Sequence, residues 1–154
     1  MPANIIKNFI DDEQASYTVE FVVLVPLLLA ALVFSFEFGR ALWAYDVMTR
    51  DVRAGARYLS RAPASYTSQA EKVAETGSPT GTTLHFPWTN SATFQYGTTT
   101  FSSANFNQDG SVITMTANVP VTLSFMSFLN AVTGAALSTS YTLTVTDSAR
   151  WVGN

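Results

Sequence analysis

One carboxylate raises the first chemical question in this chain. Glu20 stands where a long apolar run begins, at Phe21, and a charged carboxylate inside hydrocarbon costs about 2.5 to 3.5 kcal/mol on insertion scales. Such a group becomes tolerable when it is paired with a cation and hydrogen-bonded. A cationic partner would therefore make Glu20 tolerable at this position. The alternative is that its side chain reaches back to the lipid headgroups from the helix end.

Catalytic and metal chemistry have few suitable side chains. The chain has no cysteine and a single histidine, His85, which excludes cysteine nucleophiles, thiolate metal sites and a multi-histidine site. An anchored hydrolase that pairs a serine or threonine with His85 is one rival interpretation, but no nucleophile elbow or oxyanion loop accompanies that histidine. We predict that the protein is not an enzyme and that it has no metal and no cofactor.

The charge is too small and too dispersed for nucleic-acid binding. The formal net charge of the 154 residues is -3, and the cations are not gathered into a patch that would neutralise many phosphates. The length suits either one ordinary domain or a membrane helix with a small head.

The elements that position Glu20 begin with an apolar helix. Residues 21–36 are apolar except for Ser35, and although they fall short of the roughly 20 residues that span a bilayer, Val19 and Phe38 extend them. A buried core helix is the alternative, but no later segment looks able to cover a helix that is apolar on every side. We therefore predict a membrane span, which Pro26 should kink.

An amphipathic stalk follows the span. Glu37 and Arg40 bracket the membrane edge at i,i+3 spacing and are predicted to pair there. Trp43 and Tyr45 suit the same interface.

The stalk has two different faces. One face contains Phe38, Leu42, Tyr45, Val52, Ala56 and Leu59, and the second contains Arg50, Arg53, Arg57 and Arg61. The arginine face is either solvated, with Asp46 pairing Arg50, or a docking face for acidic partners or lipid headgroups. Pro63 should end the helix.

The remainder is predicted to be an α+β head. "SQAEKVAET" has capping-box spacing between Ser68 and Glu71 and predicts a helix that ends near Thr76. "SVITMTANVPVTLSF" and "LSTSYTLTVTDS" alternate apolar and polar residues as antiparallel strands do, with one or two shorter strands before them. "NQDGS" predicts a hairpin turn, residues 125–131 a capping turn or helix, and Pro120 a strand end, edge or bulge. The predicted domains are a leader (1–15), a transmembrane helix and stalk (16–62) and a head (63–154).

The segment "DDEQASYTVEFVVLVPLLLAALVFSFEFGRALWAYDVMTRDVRAGARYL" resembles the N-terminal region of TadE-like minor pilins of bacterial tight-adherence pili. The matching pieces are an acid-rich leader end, a small-residue junction, Val-Glu-Phe, an apolar run with an early proline, Glu-Phe-Gly-Arg and Gly-Ala-Arg-Tyr. They occur in this order over about a third of the chain, and the head is similar only in outline.

The resemblance implies a processed pseudopilin. A prepilin peptidase would cut between Ala15 and Ser16, with Ala15 standing where the family has glycine, and Glu20 would become the fifth residue and pair with another subunit's new amine. Implied partners are the peptidase, other pilins, the inner-membrane assembly platform and membrane lipid. The resemblance also implies an inner-membrane protein with its head outside the cytoplasm, and on the pilus or cell surface after assembly.

Two points stay open. The positive-inside rule favours the opposite orientation, because Arg40, Arg50 and Arg53 follow the span and Lys7 alone precedes it. The second rival function is a single-pass anchored adhesin whose loop aromatics, Phe86, Trp88 and Tyr96, recognise a surface, the alternative for those rings being core packing.

Overall fold

The computed structural model describes residues 13–63, 65–101 and 110–152, with side chains considered from Tyr17 onward except at 101 and 132. Its elements, in chain order, are α1 (Glu13–Leu59), α2 (Thr67–Thr76), β1 (Thr93–Phe101), β2 (Gly110–Thr122), α3 (Ser124–Thr133) and β3 (Ser140–Arg150). The predicted α+β class is confirmed.

Helix α1 runs for 47 residues and contains Pro26 without a break in its assignment. After Leu59 the turn continues briefly, since the amides of Ser60 and Ala62 donate to carbonyls one turn back at 3.0 Å. The helix thus ends just before Pro63, as predicted. The chain divides into two compact units, Met1–Gly39 and Arg40–Asn154.

The second unit is built on a three-stranded antiparallel sheet in the order β1-β2-β3. β2 is the central strand: it pairs with β1 from Thr93↔Asn118 onward and with β3 as far as Thr122↔Ser140. Pro120 lies beyond Asn118, the last β2 residue that pairs with β1, and it pairs only with β3. On the β1 side, this part of β2 is therefore an unpaired edge. That is where a residue without an amide donor is tolerated.

The core of this unit lies between the sheet, α1 and α2. Alternate residues of β2 point inward, as the period of two predicted. The buried side chains come from three sources, listed by element: Met48, Val52, Ala56 and Leu59 from α1; Ala70 and Ala74 from α2; Met115, Ala117, Val119 and Val145 from the sheet. Trp88 completes the cluster from the loop before β1.

The apolar face of the stalk is buried only in its second half. Phe38, Leu42 and Tyr45 are 58, 55 and 49% exposed, whereas Ala44 and Met48 are 1 and 0% exposed. Apolar residues spaced three or four positions apart can lie on either of two neighbouring faces of a helix, so the spacing alone does not identify the buried face. The core cluster takes its first α1 residue at Met48, so Phe38, Leu42 and Tyr45 before it do not join the core.

Helix α2 begins one residue before the predicted cap. Tyr66 is the N-cap residue and makes no capping hydrogen bond with its side chain, while Ser68 Oγ lies 3.0 Å from Gln69 Oε1. The capping-box prediction is therefore wrong, because Ser68 is already inside the first turn. The predicted end is correct: Gly77 has φ 74° and its amide donates to Val73 O. Residues 125–131 lie in α3, as predicted, and most of the predicted "NQDGS" turn lies outside the described residues.

Candidate functional site

Glu20 projects from the start of the apolar part of α1 and is exposed. Ser16 precedes it by four residues in the same helix, so their Cα atoms are separated by a rise of about 6 Å, one helical turn. The predicted scissile bond between Ala15 and Ser16 lies in helical backbone, and the side chains of both residues lie outside the described part. Cleavage there stays a prediction.

Among the described residues, the large apolar side chains that follow Glu20 are exposed. Leu27, Leu28 and Leu29 point in three directions and are 66, 63 and 57% exposed. Among the described residues, 17–59 form one helix long and apolar enough to cross a membrane, with a mean hydropathy of 2.6 in its most apolar window and none of that window buried. A helix exposed on every side fits a single-pass membrane anchor. The kink at Pro26 stays a prediction.

Arg40 does not form the predicted pair with Glu37. Among the described residues Arg40 takes part in no ion pair, and its guanidinium carbon lies 5.9 Å from the centroid of the Phe86 ring. Glu37 is only 8% exposed. A flat guanidinium stacks favourably over an aromatic face, and this contact replaces the predicted i,i+3 pair.

The arginine face of the stalk is divided between different partners. Arg50 pairs with Asp46 four residues earlier, as one interpretation predicted. Arg53 Nε lies 3.1 Å from Asp147 Oδ2 in β3, a contact that sequence spacing could not reveal. Arg57 is exposed and its side chain forms no ion pair within the described residues. Of the predicted docking residues, Arg57 thus keeps a charge without an internal partner.

The loop before β1 is held to α1 by one buried aromatic residue. Trp88 is 5% exposed, its Nε1 donates to Asp51 Oδ2 at 2.8 Å, and its ring stacks on Phe94 at 5.5 Å. Core packing is therefore correct for Trp88. Phe86 and Tyr96 are exposed instead, at 41 and 37%.

Tyr96 lies near two carboxylates of α2, those of Glu71 and Glu75. Tyr96 Oη donates to Glu71 Oε1 at 2.8 Å, with Thr67 O 3.3 Å away. Burial, helped by that hydrogen bond and the charges of Glu71 and Glu75, raises the pKa of Tyr96 well above its usual range. Burial and the charge of Glu71 likewise raise the pKa of Glu75. The arrangement stabilises neutral forms and joins α2 to the sheet.

His85 is exposed, and its backbone amide donates to Glu75 O at 2.8 Å. Its imidazole makes no hydrogen bond with a described residue. No group of three metal-binding side chains occurs in the described ranges.

Comparison with known proteins places the resemblance on α1. Residues 15–57 match the model of the family described as TadE-like protein. No curated protein and no solved structure matches the chain. The matched segment runs from Ala15 to Arg57, so it takes in Glu20, Pro26 and the first three residues of the arginine face, and it stops before the predicted head. The resemblance predicted from the sequence is confirmed over this segment.

Proposed function

Because residues 15–57 are TadE-like and this segment fits a single-pass anchor, we propose that the protein is a minor pilin of a tight-adherence pilus. A prepilin peptidase processes it between Ala15 and Ser16, and it serves in assembling a pilus for surface attachment and biofilm formation. The observation that carries the proposal is the exposed Glu20, one helical turn from Ser16 on a helix whose large apolar side chains after Glu20 are exposed.

Cleavage would create a cationic partner for Glu20. The cut converts the Ser16 nitrogen into a cationic amine, and in a bundle of such helices the amine of one subunit can meet the carboxylate of the next. A paired, hydrogen-bonded charge is tolerable in a low-dielectric surrounding where an isolated one is expensive. The pair would set the register of neighbouring helices more than it would add stability.

The first experiment tests Glu20 directly. Glu20→Gln should leave the protein in the membrane fraction but reduce its recovery in sheared pili, because the amide keeps the size of the side chain and loses its charge. Glu20→Asp, which keeps the charge, is the matched control and should retain most of the incorporation. Unchanged piliation with Glu20→Gln would remove Glu20 from the assembly mechanism.

Intact mass of the membrane-extracted protein tests processing. We expect a chain that begins at Ser16. Ala15→Gly restores the residue that the family has at this position and should increase the processed fraction. A protein that retains Met1 in cells with an active peptidase would contradict the proposal.

The proposed location is the bacterial inner membrane, with the head outside the cytoplasm and, after assembly, on the pilus or cell surface. The proposed partners are the peptidase, other pilins and minor pilins, the assembly platform and membrane lipid, and nucleic acid is not among them. The arginines after the span oppose this orientation by the positive-inside rule. A reporter enzyme fused to the C-terminus, active only outside the cytoplasm, would support the proposal; activity only inside would overturn it.

A membrane-anchored adhesin is the second candidate, favoured by the partial exposure of Phe86 and Tyr96. Deletion of the gene separates the two. A minor pilin is required for pili to form, whereas an adhesin outside the pilus would leave pili intact and reduce only attachment.

A further inference from the structure

We propose that Arg40, Trp43 and Phe86 form a membrane-docking cluster that lies in the headgroup region of the bilayer from which α1 emerges. The head then contacts the membrane through its own loop as well as through the helix that anchors it. This inference rests on the single-pass anchor and is independent of pilus assembly.

The three side chains form a stack. The Trp43 and Phe86 rings lie with centroids 4.9 Å apart and planes at 28°, and the Arg40 guanidinium carbon lies 5.9 Å from the Phe86 centroid. Despite these contacts Trp43 is 61% and Phe86 41% exposed. The stack therefore presents most of an indole and much of a phenyl ring to the surroundings.

The position of Phe86 is fixed by Trp88, a buried residue of the same loop. Trp88, two residues further on, is 5% exposed and hydrogen-bonded to Asp51. The amide of Trp88 also donates to His85 O at 2.8 Å, closing a turn around Phe86. Trp88 therefore fixes the loop to α1, while the ring of Phe86, two residues earlier, remains exposed outside the core.

Continuity with the anchor identifies lipid as the occupant. Arg40 and Trp43 directly follow the exposed apolar run in the same unbroken helix, and Leu42 and Tyr45 between and beyond them are 55 and 49% exposed. The α1 residues of the core cluster begin only at Met48, which is 0% exposed. Aromatic rings with a cation beside them are the side chains that settle at the boundary between hydrocarbon and headgroups.

The chemistry suits zwitterionic phospholipid. A guanidinium that stacks over a ring still has donors for a phosphate oxygen, and Arg40 is the one cation of the cluster. The next arginine along the helix, Arg50, is paired with Asp46. Docking should therefore depend on ring burial and not on a high density of anionic lipid, which separates it from electrostatic docking by the arginine face.

The chain contains no cysteine, so a single engineered cysteine can carry a nitroxide label. Thr83→Cys places the label in the loop, three residues from Phe86, and Thr142→Cys places it on β3; both positions are exposed. The full-length protein is reconstituted in phosphatidylcholine vesicles, and label relaxation by oxygen and by a water-soluble nickel complex is compared. We expect the oxygen-to-nickel ratio to be severalfold higher at position 83 than at 142.

A second substitution tests the ring itself. Phe86→Ser in the Thr83→Cys protein should return the ratio to the aqueous value, while Phe128→Ser, which removes a more exposed ring from α3 (58% against 41%), should not. Near-UV circular dichroism of each variant confirms that the core is intact.

Three results would overturn the proposal: equal ratios at 83 and 142, no response to Phe86→Ser, or docking that requires phosphatidylglycerol and disappears in high salt. Glu20→Gln should leave the ratios unchanged, so failure of docking and failure of the pilin proposal are distinguishable.

Discussion

At the scale of single residues, the hydrogen bond from Trp88 Nε1 to Asp51 Oδ2 (2.8 Å) should account for much of the attachment of the loop to α1. Asp51→Ala leaves a buried indole N–H without its acceptor, which costs about 1–3 kcal/mol. Thermal unfolding of the detergent-solubilised protein, followed by tryptophan fluorescence, measures the loss. Asp46→Ala removes only the exposed pair with Arg50 and should cost about 0.3–0.5 kcal/mol; equal losses would contradict the assignment.

Glu75 gives the stability of the protein a dependence on pH. Burial and the charge of Glu71 raise its pKa above the ordinary 4.5, so its contribution is complete below that value and is lost as pH rises through the folded-state pKa. Glu75→Gln mimics the neutral form. The variant should melt above the wild type at pH 7, and the two should converge below about pH 4.5. A constant gap at both pH values would show that the effect is packing and not titration.

The sequence identified several of these residues but not their partners. Trp88 was one of three loop aromatics with two possible roles, and only the structure separates it from Phe86 and Tyr96. Asp51 and Trp88 are 37 positions apart, and Arg53 and Asp147 are 94 apart. Such pairs depend on how the chain returns to α1, which no local spacing encodes. The Asp46–Arg50 pair was predictable because both residues lie on one helical turn.

At the scale of elements, α1 is packed tightly against the sheet and α2 at Gly55. A Cβ at this position would lie 2.8 Å from Met115 Sδ and 3.0 Å from Ala70 O. Both neighbours are fully buried. Gly55→Ala should therefore lower the free energy of unfolding by about 1–3 kcal/mol through overpacking, less the gain of about 0.5–1 kcal/mol from helix propensity.

Gly39→Ala is the matched control in the same helix. No heavy atom lies within 4 Å of its Cβ position, so only the propensity gain of about 0.5–1 kcal/mol is expected. The melting temperatures of the two variants should move in opposite directions from the wild type. A Gly55→Ala protein as stable as Gly39→Ala would mean that Met115 yields without cost.

The strands were the most predictable elements. Residues of β2 alternate so regularly that Met115 and Ala117 were assigned to one side before the fold was known, and both are buried. The inward side of α1 was harder to predict. Its residues repeat apolar types on more than one face, and the side that is buried depends on how the sheet packs on the helix, from Met48 onward.

At the scale of the whole molecule, the apolar helix that fits a membrane anchor was predictable, because a long apolar run needs no tertiary information to be recognised. The predicted head, 63–154, was drawn from composition, at the change from charged helix to threonine-rich strands. The compact unit that contains the sheet extends from Arg40 to Asn154. The difference is the second half of α1, whose side chains form part of the core.

That difference predicts how the protein can be cut. A fragment of residues 40–154 keeps the α1 stripe of Met48, Val52, Ala56 and Leu59, all at most 2% exposed, and should fold by itself. A fragment of residues 63–154 loses these side chains. Burial of each large one stabilises the fold by about 1.5–3 kcal/mol. Their sum approaches the 5–15 kcal/mol that holds a whole domain.

Urea denaturation and limited proteolysis of the two purified fragments provide the measurement. The longer fragment should unfold cooperatively and resist protease, and the shorter one should be digested rapidly and show no cooperative transition. Trp43→Ser in the longer fragment removes an exposed ring without touching the core, so it improves solubility while leaving the transition in place. A stable 63–154 fragment would show that the sheet and α2 suffice as a core and that α1 serves only as anchor and stalk.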